Sequence, residues 1–124
     1  MSLKVLVVDD DLINRKLIQA MLKRHTDLVG EIVFAENGSE ALSVLRESPD
    51  IDIVLLDILM PVLDGREFLK IFRAEPSNDK IPVIVLSTDD TQKNTVLELG
   101  AEDFIIKPIN EEDLIEGIKK LTSK

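Results

Sequence analysis

The chain has 124 residues, which suits one domain and is short for two. Hydrophobic residues make up 44% and charged residues 31%, ordinary globular usage that excludes a disordered chain. A net charge of −9, from 24 acids and 15 bases, repels phosphate backbones and argues against nucleic-acid binding by this domain. No apolar run approaches the roughly 18 residues needed to cross a membrane, so no membrane association is expected. Met1-Ser2-Leu3-Lys4 leads straight into an apolar strand and lacks the sections of a signal peptide. The absence of cysteine excludes a disulfide framework and a thiolate site, and it suits a cytoplasmic location.

Apolar runs alternate with helical patterns along the whole chain. Lys4-Val5-Leu6-Val7-Val8 is short and β-branched, as a strand buried on both faces should be. Leu12, Ile13, Leu17, Ile18, Met21 and Leu22 then recur near the helical period and predict a first helix with an apolar stripe. Asp27 to Gly30 reads as a turn, and Ile32 to Ala35 as a second strand. Asn37 or Gly38 can open a second helix with Ala41, Leu42, Val44 and Leu45 facing the core, and Pro49 lies past its end.

Ile51 to Leu56 predicts a third strand that ends at Asp57. Asp64 can cap a helix carrying Phe68, Leu69, Ile71 and Phe72, which must stop before Pro76. Pro82 to Leu86 reads as a fourth strand. A weaker helical stretch runs from about Asp90 to Leu99, with Asp89-Asp90 as its cap and Gly100 as its stop. Phe104-Ile105-Ile106 is a fifth, short strand. Asn110 opens a last helix with Glu111, Glu112 and Asp113 in its first turn, where the helix dipole favours anions. Phe34, Phe68 and Phe72 fit core positions. His25, the one histidine, sits beside Lys23 and Arg24 and is expected on the surface.

Five βα units in succession require parallel strands joined by helical crossovers, with helices on both faces. In such sheets, ligands bind at the carboxyl ends of the strands. Those ends carry Asp9, Asp10 and Asp11, then Asp57, then Ser87 and Thr88, then Lys107. Crowded carboxylates resist ionising together, and a hard divalent cation such as Mg²⁺ relieves this while keeping some of its waters. A lysine and a hydroxyl beside them complete a receptacle for a dianionic phosphoryl group. Taken singly, Asp9, Asp10 or Asp11 can equally be a helix cap, Lys107 a surface lysine, and Ser87-Thr88 a turn. Asp57 is harder to explain in that way, because Ile58-Leu59-Met60-Pro61 after it does not start a helix.

Four segments carry a resemblance that covers essentially the whole chain. They are Val7-Val8-Asp9-Asp10-Asp11, Leu55 to Pro61 with Asp64-Gly65, Val85-Leu86-Ser87, and Gly100 to Pro108. In that order and at that spacing, the chain resembles the receiver domains of two-component response regulators. The resemblance implies a flavodoxin-like, doubly wound α/β fold over residues 1–124, a (βα)5 unit with a five-stranded parallel sheet in the order 2-1-3-4-5.

It further implies that Asp57 accepts a phosphoryl group from a sensor histidine kinase or a phosphotransfer protein. Mg²⁺ would be bound by Asp10 and Asp57, by Asp9 through water, and by the backbone carbonyl of Leu59. Lys107 and Ser87 would hold the phosphoryl oxygens, and Phe104 would turn inward as Ser87 moves. The face made by the fourth helix, fifth strand and fifth helix would then control a downstream effector or an attached output domain. The resemblance also implies a cis bond between Lys107 and Pro108.

Some residues depart from the family's usual pattern. Leu63 stands where methionine is frequent, Ser87 where threonine is usual, and Phe104 where tyrosine is frequent. Thr88 stands where alanine is common and adds bulk at the pocket rim. The expected role is a phosphorylated signalling module with only its own phosphorylation and dephosphorylation as catalysis. A dehalogenase-type aspartyl phosphatase needs a second aspartate two residues after the first, and Leu59 follows Asp57 at that spacing. A flavodoxin needs a Ser/Thr/Gly-rich loop where Asp9-Asp10-Asp11 stands. A degenerate scaffold would not need the full set of Asp9, Asp10, Asp57, Ser87 and Lys107.

Overall fold

The computed structural model describes residues 2–58 and 63–123. Its elements alternate: β1 (Leu3–Val8), α1 (Leu12–Lys23), β2 (Val29–Ala35), α2 (Gly38–Glu47), β3 (Ile53–Asp57), α3 (Gly65–Ala74), β4 (Val83–Ser87), α4 (Lys93–Glu98), β5 (Asp103–Ile106) and α5 (Glu111–Thr122). Short 3₁₀ turns cover Pro76–Asn78 and Asp90–Gln92. The strands form one parallel sheet in the order β2-β1-β3-β4-β5. This is the flavodoxin-like fold. Its crossing point lies between β1 and β3, where the connections leave in opposite directions.

The two-residue period of the strands divides the core. Val5, Val7, Ile53, Leu55, Ile84 and Leu86 face α1 and α5, where Ile18, Leu22, Leu114 and Ile118 meet them. Leu6, Val8, Val54, Leu56, Val83 and Val85 face α2, α3 and α4, where Ala41, Leu45, Phe68, Phe72 and Val96 meet them. The rings of Phe68 and Phe72 are fully buried and stacked, with centroids 5.3 Å apart.

Caps set the helix starts. Asp11, Asn37, Asp64 and Asn110 each accept backbone N–H bonds at the first turn of α1, α2, α3 and α5. Asp89 caps the 3₁₀ turn before α4 by accepting from the Thr91 N–H at 3.0 Å. Gly100 ends α4 at a φ of 111°, a left-handed conformation that glycine adopts without strain. The Lys107–Pro108 bond is cis.

Two expectations from the pattern need correction. β2 begins at Val29, so the predicted turn through Gly30 is shorter. The segment after Asp90 is a 3₁₀ turn followed by a helix of only 6 residues. Within the α1 stripe, Ile18 and Leu22 are buried, and Leu12, Ile13 and Leu17 are 55%, 69% and 55% exposed.

His25 is half-buried rather than simply on the surface. Its Nε2 lies 3.0 Å from Glu111 Oε2, and Arg24 donates to Glu111 Oε1 at 2.8 Å and 3.0 Å. The Arg24 bonds first, and then His25, hold the Glu111 carboxyl below its ordinary value of 4.5. A depressed carboxyl stabilises the fold above its unfolded pKa and loses that contribution as pH falls through the folded one. Wild type is therefore expected to melt slightly above Glu111→Gln at pH 7, by a few degrees at most for so exposed a cluster. Melting curves should show the gap closing below pH 4.5. A gap independent of pH would mean that the effect comes from packing.

Candidate functional site

β1 and β3 are neighbours, so their carboxyl ends bring Asp9 and Asp10 beside Asp57. One carboxylate oxygen from each of the three lies within 4.8 Å of the others. Asp11 points elsewhere and serves as the α1 cap, with Oδ1 accepting from Ile13 at 2.8 Å. The cap reading therefore holds for Asp11, while Asp9 and Asp10 lie beside Asp57.

Asp9 is 1% exposed. Its Oδ1 accepts the Asp11 N–H at 2.9 Å, while its Oδ2 is buried without a hydrogen bond. Lys107 Nζ stands 3.5 Å from that Oδ2 and 3.7 Å from Asp57 Oδ1. To get there, Lys107 must reach from the end of β5 past β4 to β3, two strand spacings or roughly 10 Å. A lysine stem and an aspartate side chain close that gap together.

Ser87 ends β4 between these groups. It is 2% exposed, and its Oγ accepts the Asp89 N–H at 3.1 Å. Thr88 is exposed at the rim, as the sequence suggests. A cavity of about 620 Å³ opens beside Asp57, bounded by Asn14, Leu17 and Met21 of α1 and by Pro108 and Ile109. Phe104 lies on β5, half-buried against the α2–α4 side of the core. Leu59, expected to contribute its carbonyl, lies outside the described residues.

The first residue of α3 presses on the end of β3. Gly65 N–H donates to Ile58 O at 2.8 Å, and a Cβ on Gly65 would lie 2.8 Å from Ile58 Cα and 2.9 Å from Asp57 O. Glycine is required here by contact, not by a left-handed φ.

Arg15 is a residue that the pattern did not single out. Its Nη1 donates to the main-chain carbonyl of Asp9 at 2.7 Å. The one sequence signal was a cation early in a helix that follows an acidic turn, which is too common to stand out.

The donor set is all carboxylate, which suits a hard cation and not a soft one. The buried, unbonded oxygen of Asp9 has no use for another acceptor and needs positive charge nearby. Asp10 is exposed, which leaves one side open to water, as Mg²⁺ prefers. The arrangement can therefore hold a divalent cation and neutralise a multiply charged anion at Asp57.

A family model of the response regulator receiver domain matches residues 5–119. The chain belongs to this family, the receiver domains of two-component signalling. It is 32% identical over 117 residues to the protein PilH of Pseudomonas aeruginosa, covering 93% of this chain and 93% of that one. Among solved structures it resembles the chemotaxis response regulator CheY4 of Vibrio cholerae, with a TM-score of 0.86 and 28% identity over 98% of this chain and 99% of that one. It also resembles a chain in the co-crystal structure of the yeast histidine phosphotransfer protein Ypd1 with the receiver domain of its downstream response regulator Ssk1. That match has a TM-score of 0.85 and 25% identity over 98% of this chain and 89% of that one. The chain spans 55% of a rice two-component response regulator, ORR7, and 13% of the sensor protein GacS of Pseudomonas syringae. Receiver domains of this family pair with histidine kinases or phosphotransfer proteins. Among the described residues, no helix is long and apolar enough to cross a membrane.

Proposed function

We propose that Asp57 is the phosphoacceptor and that Asp9, Asp10 and Asp57 hold Mg²⁺ during the transfer. The convergence of the three carboxylates within 4.8 Å, with Lys107 between two of them, carries this reading. A carboxylate oxygen of Asp57 forms a bond to phosphorus. The bond from phosphorus to the donor's imidazole nitrogen breaks, and the imidazole leaves with its electron pair and takes up a proton. Mg²⁺, when bound, neutralises charge on the transferring group. Lys107 then leaves Asp57 for a phosphoryl oxygen, and Asp9 keeps it oriented from the other side. Hydrolysis of the acyl phosphate by water restores Asp57, so the domain resets itself. Leu17 of α1, which lines the cavity at Asp57, and the exposed Leu12 and Ile13 of the same helix offer an apolar seat for the donor protein.

The output follows from Ser87. Its hydroxyl accepts from Asp89 and still has its own O–H to donate. When that O–H turns to a phosphoryl oxygen, it draws residues 88–89 with it, and these lead into the 3₁₀ turn before α4. The half-buried Phe104 ring then turns fully inward. Without a tyrosine hydroxyl, its inward state rests on burial alone, worth on the order of 1.5–3 kcal/mol for a whole ring. The face of α4, β5 and α5 changes as a result, and a downstream effector or attached output domain reads the change.

The test uses acetyl phosphate and a phosphoryl mimic. With Mg²⁺, intact-mass spectrometry should show one added phosphoryl group, and chelation of the metal should prevent it. Beryllofluoride should shift amide resonances across residues 88–108. Shifts confined to the Asp57 pocket would overturn the switch and leave the phosphorylation standing. No added mass under any condition would overturn the phosphoacceptor assignment.

A further inference from the structure

Arg15 lies early in α1 and folds back over the turn that follows β1. Its side chain is only 13% exposed. Nη1 donates to Asp9 O at 2.7 Å, and Nη2 stands 3.8 Å from Glu36 Oε1, just past β2. The carbonyl it grips belongs to the peptide that joins Asp9 to Asp10. The tilt of that peptide sets the direction in which the Asp10 side chain leaves the backbone. Neighbouring groups are held by other bonds: Asp9 N–H donates to Ala35 O at 3.0 Å, and Asp11 N–H to Asp9 Oδ1 at 2.9 Å. Arg15 adds the hold on the peptide between them.

We propose that Arg15 is a positioning residue for the divalent cation. By clamping the Asp9–Asp10 peptide, it keeps the Asp10 carboxylate within reach of those of Asp9 and Asp57. The role rests on the assignment of those three aspartates as the cation site.

Charge and geometry make opposite predictions for this residue. As a charge alone, Arg15 repels Mg²⁺, and its removal should tighten binding. As a clamp it organises the ligands, and its removal should loosen binding. Groups that orient metal ligands in this way typically account for about 10- to 100-fold in affinity.

The experiment is a Mg²⁺ titration, followed by amide chemical shifts, of wild type, Arg15→Gln, Arg15→Lys and Glu36→Gln. Arg15→Gln should bind Mg²⁺ about tenfold or more weakly, although the site has become more negative. Arg15→Lys keeps the charge but loses the rigid fork, and should fall between it and wild type. Glu36→Gln removes only the ion pair on the far side and should stay within about twofold of wild type. Melting curves show whether each variant is folded. If Arg15→Gln does not fold, Arg15→Lys decides: weaker binding supports the clamp, and wild-type affinity overturns it. Affinity equal to or tighter than wild type in folded Arg15→Gln also overturns it. A wild type that takes up no Mg²⁺ overturns the cation site itself, and the clamp with it.

Discussion

Replacing Asp57 by asparagine is expected to abolish phosphoryl labelling by acetyl phosphate while leaving the fold intact. An amide has no carboxylate oxygen to form the acyl phosphate, so the loss should be complete, not graded. The neighbouring Asp9 is no substitute, because its Oδ1 is engaged by Asp11 and its residue is buried. The fold should survive because the substitution relieves like-charge repulsion. At an effective dielectric of 20, two carboxylate charges about 5 Å apart repel by on the order of 3 kcal/mol. Lys107 offsets part of this and retains Asp9 as a partner after the substitution. Intact-mass spectrometry with a parallel melting curve reads both claims. Labelling that persists in the variant, or acid-stable label on a serine, would move the phosphoacceptor elsewhere.

Phe72→Ala is expected to cost about 3–5 kcal/mol of stability, a large share of the roughly 5–15 kcal/mol typical of a small domain. The ring is fully buried, stacks on Phe68, and carries the Arg73 guanidinium 4.9 Å from its centroid. Truncation removes the ring's transfer energy and leaves a cavity that the stiff sheet beneath cannot fill. It also loosens Arg73, which donates to Gly100 O at 3.0 Å and Asn78 O at 2.9 Å and pairs with Glu102 at 2.6 Å. That network joins α3 to both ends of the segment holding β4 and α4. Urea denaturation followed by circular dichroism measures the loss. A change below about 1 kcal/mol would show that the core on this side repacks freely.

The order of elements was legible because strands buried on both faces read as unbroken apolar runs, and because helix caps were explicit at Asn37, Asp64 and Asn110. β2 was read too short because it is an edge strand. Gly30 and Glu31 are exposed there and break the apolar run, although both belong to the strand. The apolar residues of α1 marked the helix but not which of them are buried. Leu12, Ile13 and Leu17 follow a helical period, and periodicity cannot tell a face that meets the core from one left open beside a site. The candidate site was legible as a set, since topology alone brings the ends of β1, β3, β4 and β5 together. Which of Asp9, Asp10 and Asp11 caps α1 was not legible from the pattern, because it depends on which backbone amides each carboxylate meets. His25 and Glu111 were likewise hidden, as their contact spans the length of the chain.

Gly65 ties the position of Asp57 to a residue on the next helix. A methyl group there would meet the peptide that joins Asp57 to Ile58. Position 65 is consequently not one whose residue can be exchanged freely. A side chain carried into that position would press on the Asp57 peptide and displace its carboxylate relative to Asp9 and Lys107, even with every charged residue of the site retained.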